Sequence, residues 1–233
     1  MKKTMLVVLV GLLLSTIVAV ASDDIPDLHM AAMIGDAPTV KAIIGRGVDP
    51  NQRDSHGETP LMNAPTLEVV SLLLESGADV NARNPEGTTA LMKASFQGAW
   101  MIVDELLKKG ADVNASGGPS RMTALIGASL SGRDGRVYEY HSGRVQEGFS
   151  SLGSTHIVQA LVRHGANVNA RSKWGSTALM EASANGHINI VKFLLSQGAK
   201  KNLKDDHGKT ALIYARERKQ QAVIQVLISA GAK

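Results

Sequence analysis

The sequence has no cysteine among its 233 residues. That absence excludes a disulfide framework, a Cys-ligated zinc or iron–sulfur site and a thiol nucleophile. Aromatic residues are scarce too: two Trp, three Tyr and three Phe, against 23 glycines. So few rings disfavour an RNA-stacking platform or one large core built around them. No G-x-S-x-G, H-E-x-x-H, P-loop or G-x-G-x-x-G string occurs, which removes the common sequence signatures of hydrolases, zinc peptidases and nucleotide enzymes. The histidines, His29, His56, His141, His156, His164, His187 and His207, do not fall at metal-ligand spacings. What is present, 44% hydrophobic and 20% charged residues, is the composition of a folded chain with a buried core.

One long apolar run is present, from Met5 to Ala21, behind Lys2 and Lys3 and ahead of Asp23 and Asp24. This is the pattern of a secretory signal peptide, with Ala19-Val20-Ala21 supplying the small residues at the cleavage site. At 17 residues, and with Gly11, Ser15 and Thr16 inside it, the run is short of the roughly 20 needed to span a membrane. The expectation is a signal peptide over 1–21, cleaved after Ala21, with an uncleaved anchor as the alternative. Cleavage removes Lys2 and Lys3 and lowers the formal charge from +4 to +2. No basic run remains to serve as a nucleic-acid footprint. The expected product is exported, off the membrane after cleavage, and free of nucleic acid.

The rest of the chain is periodic. SGADVNAR (76–83), KGADVNAS (109–116) and HGANVNAR (164–171) are near copies, and RGVDPNQR (46–53) and QGAKKNLK (197–204) are weaker ones. A second phrase recurs in step with them: Thr59-Pro60-Leu61-Met62, Thr89-Ala90-Leu91-Met92, Thr123-Ala124-Leu125-Ile126, Thr177-Ala178-Leu179-Met180 and Thr210-Ala211-Leu212-Ile213, with Pro26-Asp27-Leu28-His29 as a diverged first copy. The steps from Pro26 onward are 33, 30, 34, 54 and 33 residues. Threonine at this place suits a helix N-cap and Pro60 suits the first helical position. Leu179 and Ala182 give a narrow inner helix, and the apolar stretch from Ile188 to Leu195 gives an outer, core-filling helix that ends before Gly198. The Asp-Xaa-Asn turns are expected to close locally through Asx hydrogen bonds rather than to bind calcium.

These phrases resemble the ankyrin repeat family, whose period is about 33 residues and whose signature is T-P-L-H-x-A. The resemblance covers about residues 25–233. It implies an all-α solenoid of about six helix-turn-helix repeats with short hairpin turns, at about 25–56, 57–86, 87–120, 121–174, 175–207 and 208–233. It also implies binding of a protein partner along the concave surface. The signature histidine survives only as His29, and Met62, Met92, Ile126, Met180 and Ile213 replace it elsewhere. The 30-residue step removes three residues near Pro65-Thr66 and shortens the first helix of repeat two. Arg216 to Gln221, where other repeats carry small residues, reads as a polar terminal cap.

The 54-residue step carries a 21-residue insertion, Arg133 to Gly153, between the two helices of repeat four. Alternation around Val137-Tyr138-Glu139-Tyr140 and Arg144-Val145 predicts a short hairpin or an ordered loop. The insertion holds Tyr138, Tyr140 and Phe149, three of the eight aromatics. Tyrosine and arginine dominate binding hot spots, so Tyr138, Tyr140, Arg136 and Arg144 are candidate protein-binding residues, against a tolerated surface insertion. Trp174, at a hairpin tip before Gly175, is a candidate because a tip offers little core to join. The inner helices present Lys93, Phe96, Leu130, Glu181 and Tyr214 on the concave side. Trp100 aligns with Ile188 and is expected to pack.

The functional expectation is a non-enzymatic, monomeric protein-binding module without metal or cofactor, exported to a bacterial periplasm to modulate or protect a partner protein. The alternatives are a secreted effector acting on a host or competitor protein, and an enzyme with a site at Glu139, Tyr140 and His141.

Overall fold

The computed structural model of the protein describes residues 27–131, 135–141, 144–150 and 153–233. Residues 1–21, expected to form the signal peptide, lie outside the described residues. Helices come in pairs: α1 (Leu28–Ile34) and α2 (Ala37–Ile44), α3 (Pro60–Asn63) and α4 (Leu67–Glu75), α5 (Ala90–Gln97) and α6 (Trp100–Lys108). They continue as α7 (Ala124–Ser131) and α8 (Gly153–Arg163), α9 (Ala178–Asn185) and α10 (Ile188–Ser196), α11 (Ala211–Glu217) and α12 (Gln221–Ser229). Two antiparallel ribbons accompany them. β1 (Ser116–Gly117) pairs with β2 (Met122–Thr123), and β3 (Gly135–His141) pairs with β4 (Arg144–Ser150).

The first helix of each pair packs on the first helix of the next, and the second on the second, so two parallel layers of helices run the length of the chain. This is the solenoid that the periodicity predicts. The core lies between the layers and repeats with the sequence. Leu61, Leu91, Leu125, Leu179 and Leu212 fill it from the inner helices, and Leu73, Leu106, Leu161, Leu194 and Leu227 from the outer ones, all buried. Each such leucine contributes about 1.5–3 kcal/mol through the surface it removes from water. Small residues beside them, Ala94, Ala128, Ala182 and Ala215, are buried as well and let neighbouring inner helices approach. Thin layers of this kind are filled without rings, which accounts for the scarcity of aromatics.

Local signals set the helix ends. Thr89, Thr177 and Thr210 accept the N–H of the residue three positions on through their side chains, and Thr123 does the same for Ile126 at 3.3 Å. Thr59 departs from the expectation: it makes no capping bond, and its buried Oγ1 has no hydrogen-bond partner. Met62 N–H, the group such a cap would accept, donates to the Thr59 backbone carbonyl at 3.0 Å, in an α3 of only 4 residues with Pro60 at its start and Ala64 in extended conformation at its end. In the first pair the cap is Asp27, one residue later than the Pro26 register, and it accepts from His29 N–H; proline has no side-chain acceptor. The chain leaves α10 through Gly198 at φ +82°, a left-handed position that favours glycine.

The insertion in repeat four forms the β3–β4 hairpin, in seven consecutive residue pairs from Gly135↔Ser150 to His141↔Arg144. It leaves the stack between α7 and α8 without separating them, since those helices still pack on each other. Trp100 packs, as expected, against the core, with its ring edge-on to His156 at a centroid distance of 5.2 Å.

Candidate protein-binding surface

The surface is built on the hairpin tips, and the tips are built on Asx-type turns. Asp54 Oδ1 accepts the N–H groups of His56 (2.8 Å) and Glu58 (2.9 Å), and Asp205 Oδ1 those of His207 (3.0 Å) and Lys209 (2.8 Å). Asn84 Oδ1 and Ser172 Oγ play the same part in the tips between them. The backbone bonds from Glu58 and His56 keep the Asp54 carboxyl below its ordinary range against the opposing effect of burial.

The Asp-Xaa-Asn turns close locally as expected, with Asn81 N–H donating to Asp79 Oδ1 at 2.9 Å and Asn114 N–H to Asp112 Oδ1 at 3.0 Å. The asparagine side chain then does more than the sequence suggests. Asn81 Nδ2 donates to the Gly110 carbonyl (3.1 Å) and its Oδ1 accepts Asp112 N–H (2.7 Å). Asn51, Asn114 and Asn169 repeat the pattern onto the next turn. The arginine that closes the repeated phrase forms a second ladder. Arg53 donates to the Arg83 carbonyl (2.7 Å), Arg83 to that of Ser116 (3.2 Å) and Arg171 to that of Lys204 (2.9 Å). Every adjacent pair of turns from Asp49 to Lys200 is tied by an asparagine, so the tips form a row held at fixed spacing.

Trp174 stands on this row and is 51% exposed. Its tip is held from both sides: Lys173 N–H donates to the Ser120 carbonyl (2.8 Å), and Asp206 N–H to the Trp174 carbonyl (3.1 Å). Phe96, on α5, is 46% exposed, and Leu130, at the equivalent position of α7, is half-buried. On α7 Gly127 occupies the position that holds Lys93, Glu181 and Tyr214 in other inner helices, and a Cβ there would meet only Phe96 Cβ, at 3.8 Å.

Those three polar candidates are each engaged by a tip residue. Lys93 Nζ lies 2.8 Å from Glu58 Oε2 and 2.7 Å from Asn63 Oδ1. Burial opposes ionisation of Glu58, but hydrogen bonds from Lys93 and Asn63, the Lys93 charge and a bond from Asn84 outweigh it and hold the carboxyl below its ordinary range. Glu181 accepts a hydrogen bond from Ser176. Tyr214 donates to Asp205 Oδ2 at 2.5 Å, with Lys209 Nζ 5.4 Å from the ring centroid. Asp205 is pushed up by burial, yet the Tyr214 hydroxyl and two backbone N–H groups bring it below its ordinary range. The bond to Asp205, then burial, then the charges of Asp205, Glu181 and Glu217 raise Tyr214 to about 12.

Tyr138, Tyr140 and Arg136 lie on β3 and Arg144 on β4. The register sets Arg136 opposite Phe149, Tyr138 opposite Glu147, Tyr140 opposite Val145 and Arg144 opposite His141. The structure therefore divides the candidates into two groups: the tips with the inner helices, and the hairpin. Sequence reasoning missed Glu58 and Asp205, the acidic partners of Lys93 and Tyr214, and the exposed Met30, Met33, Ile34 and Leu67. Recurrence of the asparagine and arginine in the repeated phrase was the available sign of the ladders. Among the described residues no three His, Cys, Asp or Glu are grouped so as to hold a metal ion, and no helix is long and apolar enough to cross a membrane.

A family model for ankyrin repeats matches residues 28–117 and 149–233. No curated protein matches the sequence. Among solved structures, the chain is similar to an ankyrin repeat domain (ABAYE2397) from Acinetobacter baumannii AYE, at 33% identity and a TM-score of 0.71, over 88% of this chain and 98% of that one. It is also similar to a chain of the complex between the predatory endopeptidase Bd0816 of Bdellovibrio bacteriovorus and the immunity protein Bd3460, at 27% identity and a TM-score of 0.72, over 88% and 97%. The ankyrin repeat domain of Bcl-3, of the IkappaB protein family, matches at 32% identity and a TM-score of 0.67, over 86% and 81%.

Proposed function

The chain belongs to the ankyrin-repeat family, and from that premise we propose that it is an exported, non-catalytic protein that binds a partner protein and shields or modulates it. The observation that carries this reading is the half-exposed Trp174 on a tip fixed by hydrogen bonds on both sides. A large ring held in place before binding loses little freedom on contact, and tryptophan is the residue type most enriched at binding hot spots. Phe96 and Leu130 add apolar surface along the inner layer. Lys93, Glu181 and Tyr214, held by their tip partners, supply polar groups of fixed orientation.

A relative in fold comes from a complex of an endopeptidase with an immunity protein, which supports an enzyme as the partner. The periplasmic destination rests on Lys2, Lys3, the apolar run and Ala19-Val20-Ala21. Recovery in the culture medium with little in the periplasm would favour the secreted effector instead.

The test is affinity capture from a periplasmic extract with the wild-type protein, Trp174→Ala and Phe96→Ala. Loss of a hot-spot ring costs about 2 kcal/mol or more, roughly 30-fold in affinity. If both variants retain every partner at wild-type affinity, the assignment of this surface fails.

A further inference from the structure

A solenoid lays its repeats along one axis in chain order, so uneven charge along the chain becomes a difference between the two ends of the stack. From Asp27 to Ser120 there are 12 Asp and Glu against 7 Lys and Arg, and from Gly153 to Lys233 there are 12 Lys and Arg against 4 Asp and Glu. The side chains of repeats one to three thus carry a net −5, and those from α8 onward a net +8. One place in the row of turns shows the change step by step: Asp49, Asp79 and Asp112, then Asn167, then Lys200, all exposed. Asparagine bonds hold that row at fixed spacing, so the gradient is built into the frame.

The cationic end exceeds what a polar last repeat needs, since polar side chains of either sign serve that purpose. Its acids are engaged: Tyr214 donates to Asp205, Ser176 donates to Glu181, Arg171 lies 3.4 Å from Asp206 and Lys209 lies 2.8 Å from Glu217. Six exposed cations, Lys192, Lys200, Lys204, Arg216, Arg218 and Lys219, have no acidic partner among the described residues. Arg216 stands where Ser95, Ser129 and Ser183 are fully buried in other inner helices. Lys219 sits at φ +56°, the left-handed position that Gly35, Gly98 and Gly186 fill after other inner helices, where a Cβ is disfavoured. A lysine held there adds to the field of Arg216 and Arg218 and nothing to the fold. We propose that the partner is a protein with an acidic face, and that this face docks on repeats five and six beside Trp174; the proposal rests on the partner-binding reading above. Complementary fields speed encounter and fix orientation. A nucleic acid duplex or an anionic bilayer fits less well, because its charge continues past the cationic end and meets the net −5 of repeats one to three wherever it lies along the stack. The acidic face of a folded protein is bounded.

The probe is a fluorescein-labelled oligoglutamate peptide, titrated with purified protein and followed by fluorescence anisotropy. Wild type should bind it, with affinity falling as salt rises. The triple variant Lys200→Glu, Arg218→Glu and Lys219→Glu should bind it about tenfold or more weakly, since each exposed cation contributes a few tenths to one kcal/mol and each reversal also adds repulsion. A second triple variant, Lys41→Glu, Arg46→Glu and Lys108→Glu, makes the same change of net charge in repeats one to three and should bind within about twofold of wild type. Equal losses in the two variants would mean that binding follows net charge and not the cationic end, and would overturn the proposal. So would wild-type affinity in the first variant, or no binding by wild type at low salt. Tighter binding by wild type of duplex DNA, or of phosphatidylglycerol vesicles, at an equal concentration of anionic groups would assign the end to phosphate chemistry instead and reject a protein's acidic face. Trp174→Ala and Phe96→Ala leave these cations in place, so both should bind oligoglutamate as wild type does. Loss of captured partners by those variants, without oligoglutamate binding by wild type, would spare the tip surface and reject the acidic face. Oligoglutamate binding with every partner retained would do the reverse.

Discussion

Asn81 acts between repeats although its turn looks self-contained. Its side chain supplies both a donor and an acceptor to the next turn, at 3.1 and 2.7 Å, so its loss leaves two backbone groups to be satisfied by water. Asn81→Ala should lower unfolding free energy by about 1–2 kcal/mol, measured by urea denaturation. Asn189→Ala, on the exposed side of α10, should be within about 0.5 kcal/mol of wild type. Tyr214 and Asp205 give a pH signature of opposite signs. The phenol is raised from its ordinary 10.0 to about 12, so its stabilising contribution is complete below pH 10 and is lost as pH rises through about 12. The carboxyl is lowered from its ordinary 3.8, so its contribution is present above that value and fades as pH falls through the folded-state titration. Absorbance titration at alkaline pH should show one tyrosine ionising near 12, and Tyr214→Phe should remove that step.

At the scale of the helix, the same threonine has opposite value in different repeats. Thr89 accepts Met92 N–H, so Thr89→Val removes a cap and should destabilise by about 1 kcal/mol. Thr59 makes no such bond and its hydroxyl is buried without a partner, so Thr59→Val exchanges an unsatisfied polar group for a methyl of similar shape. That change should be neutral or stabilising by up to about 1 kcal/mol; thermal unfolding of the two variants side by side checks the sign. The short α3 itself was legible, because the 30-residue step fixes where residues are missing. So were the caps, the glycine exits and the β3–β4 hairpin, each of which is set by neighbours in sequence. The Glu58–Lys93 pair was not, because its members are 35 residues apart and each repeat carries several charges that could meet. Nor was the missing cap of Thr59, whose own carbonyl takes the Met62 N–H. Trp174 was legible as a candidate from its place at a tip, but the bonds that fix it come from the tips on either side.

Across the whole molecule, each repeat touches only its neighbours, so stability is a sum of repeats and interfaces, and the asparagine row adds a bond pair at each interface. The hairpin stands outside that sum. It joins α7 to α8 but does not part them, and closing a shorter connection changes loop entropy by only about 1 kcal/mol. Deleting residues 133–153 should therefore shift the thermal midpoint of dilute protein by no more than about 2–4 °C. Differential scanning calorimetry of dilute wild-type protein and of the deletion variant measures the shift. A large loss of stability in dilute protein would mean that the insertion belongs to the core of repeat four.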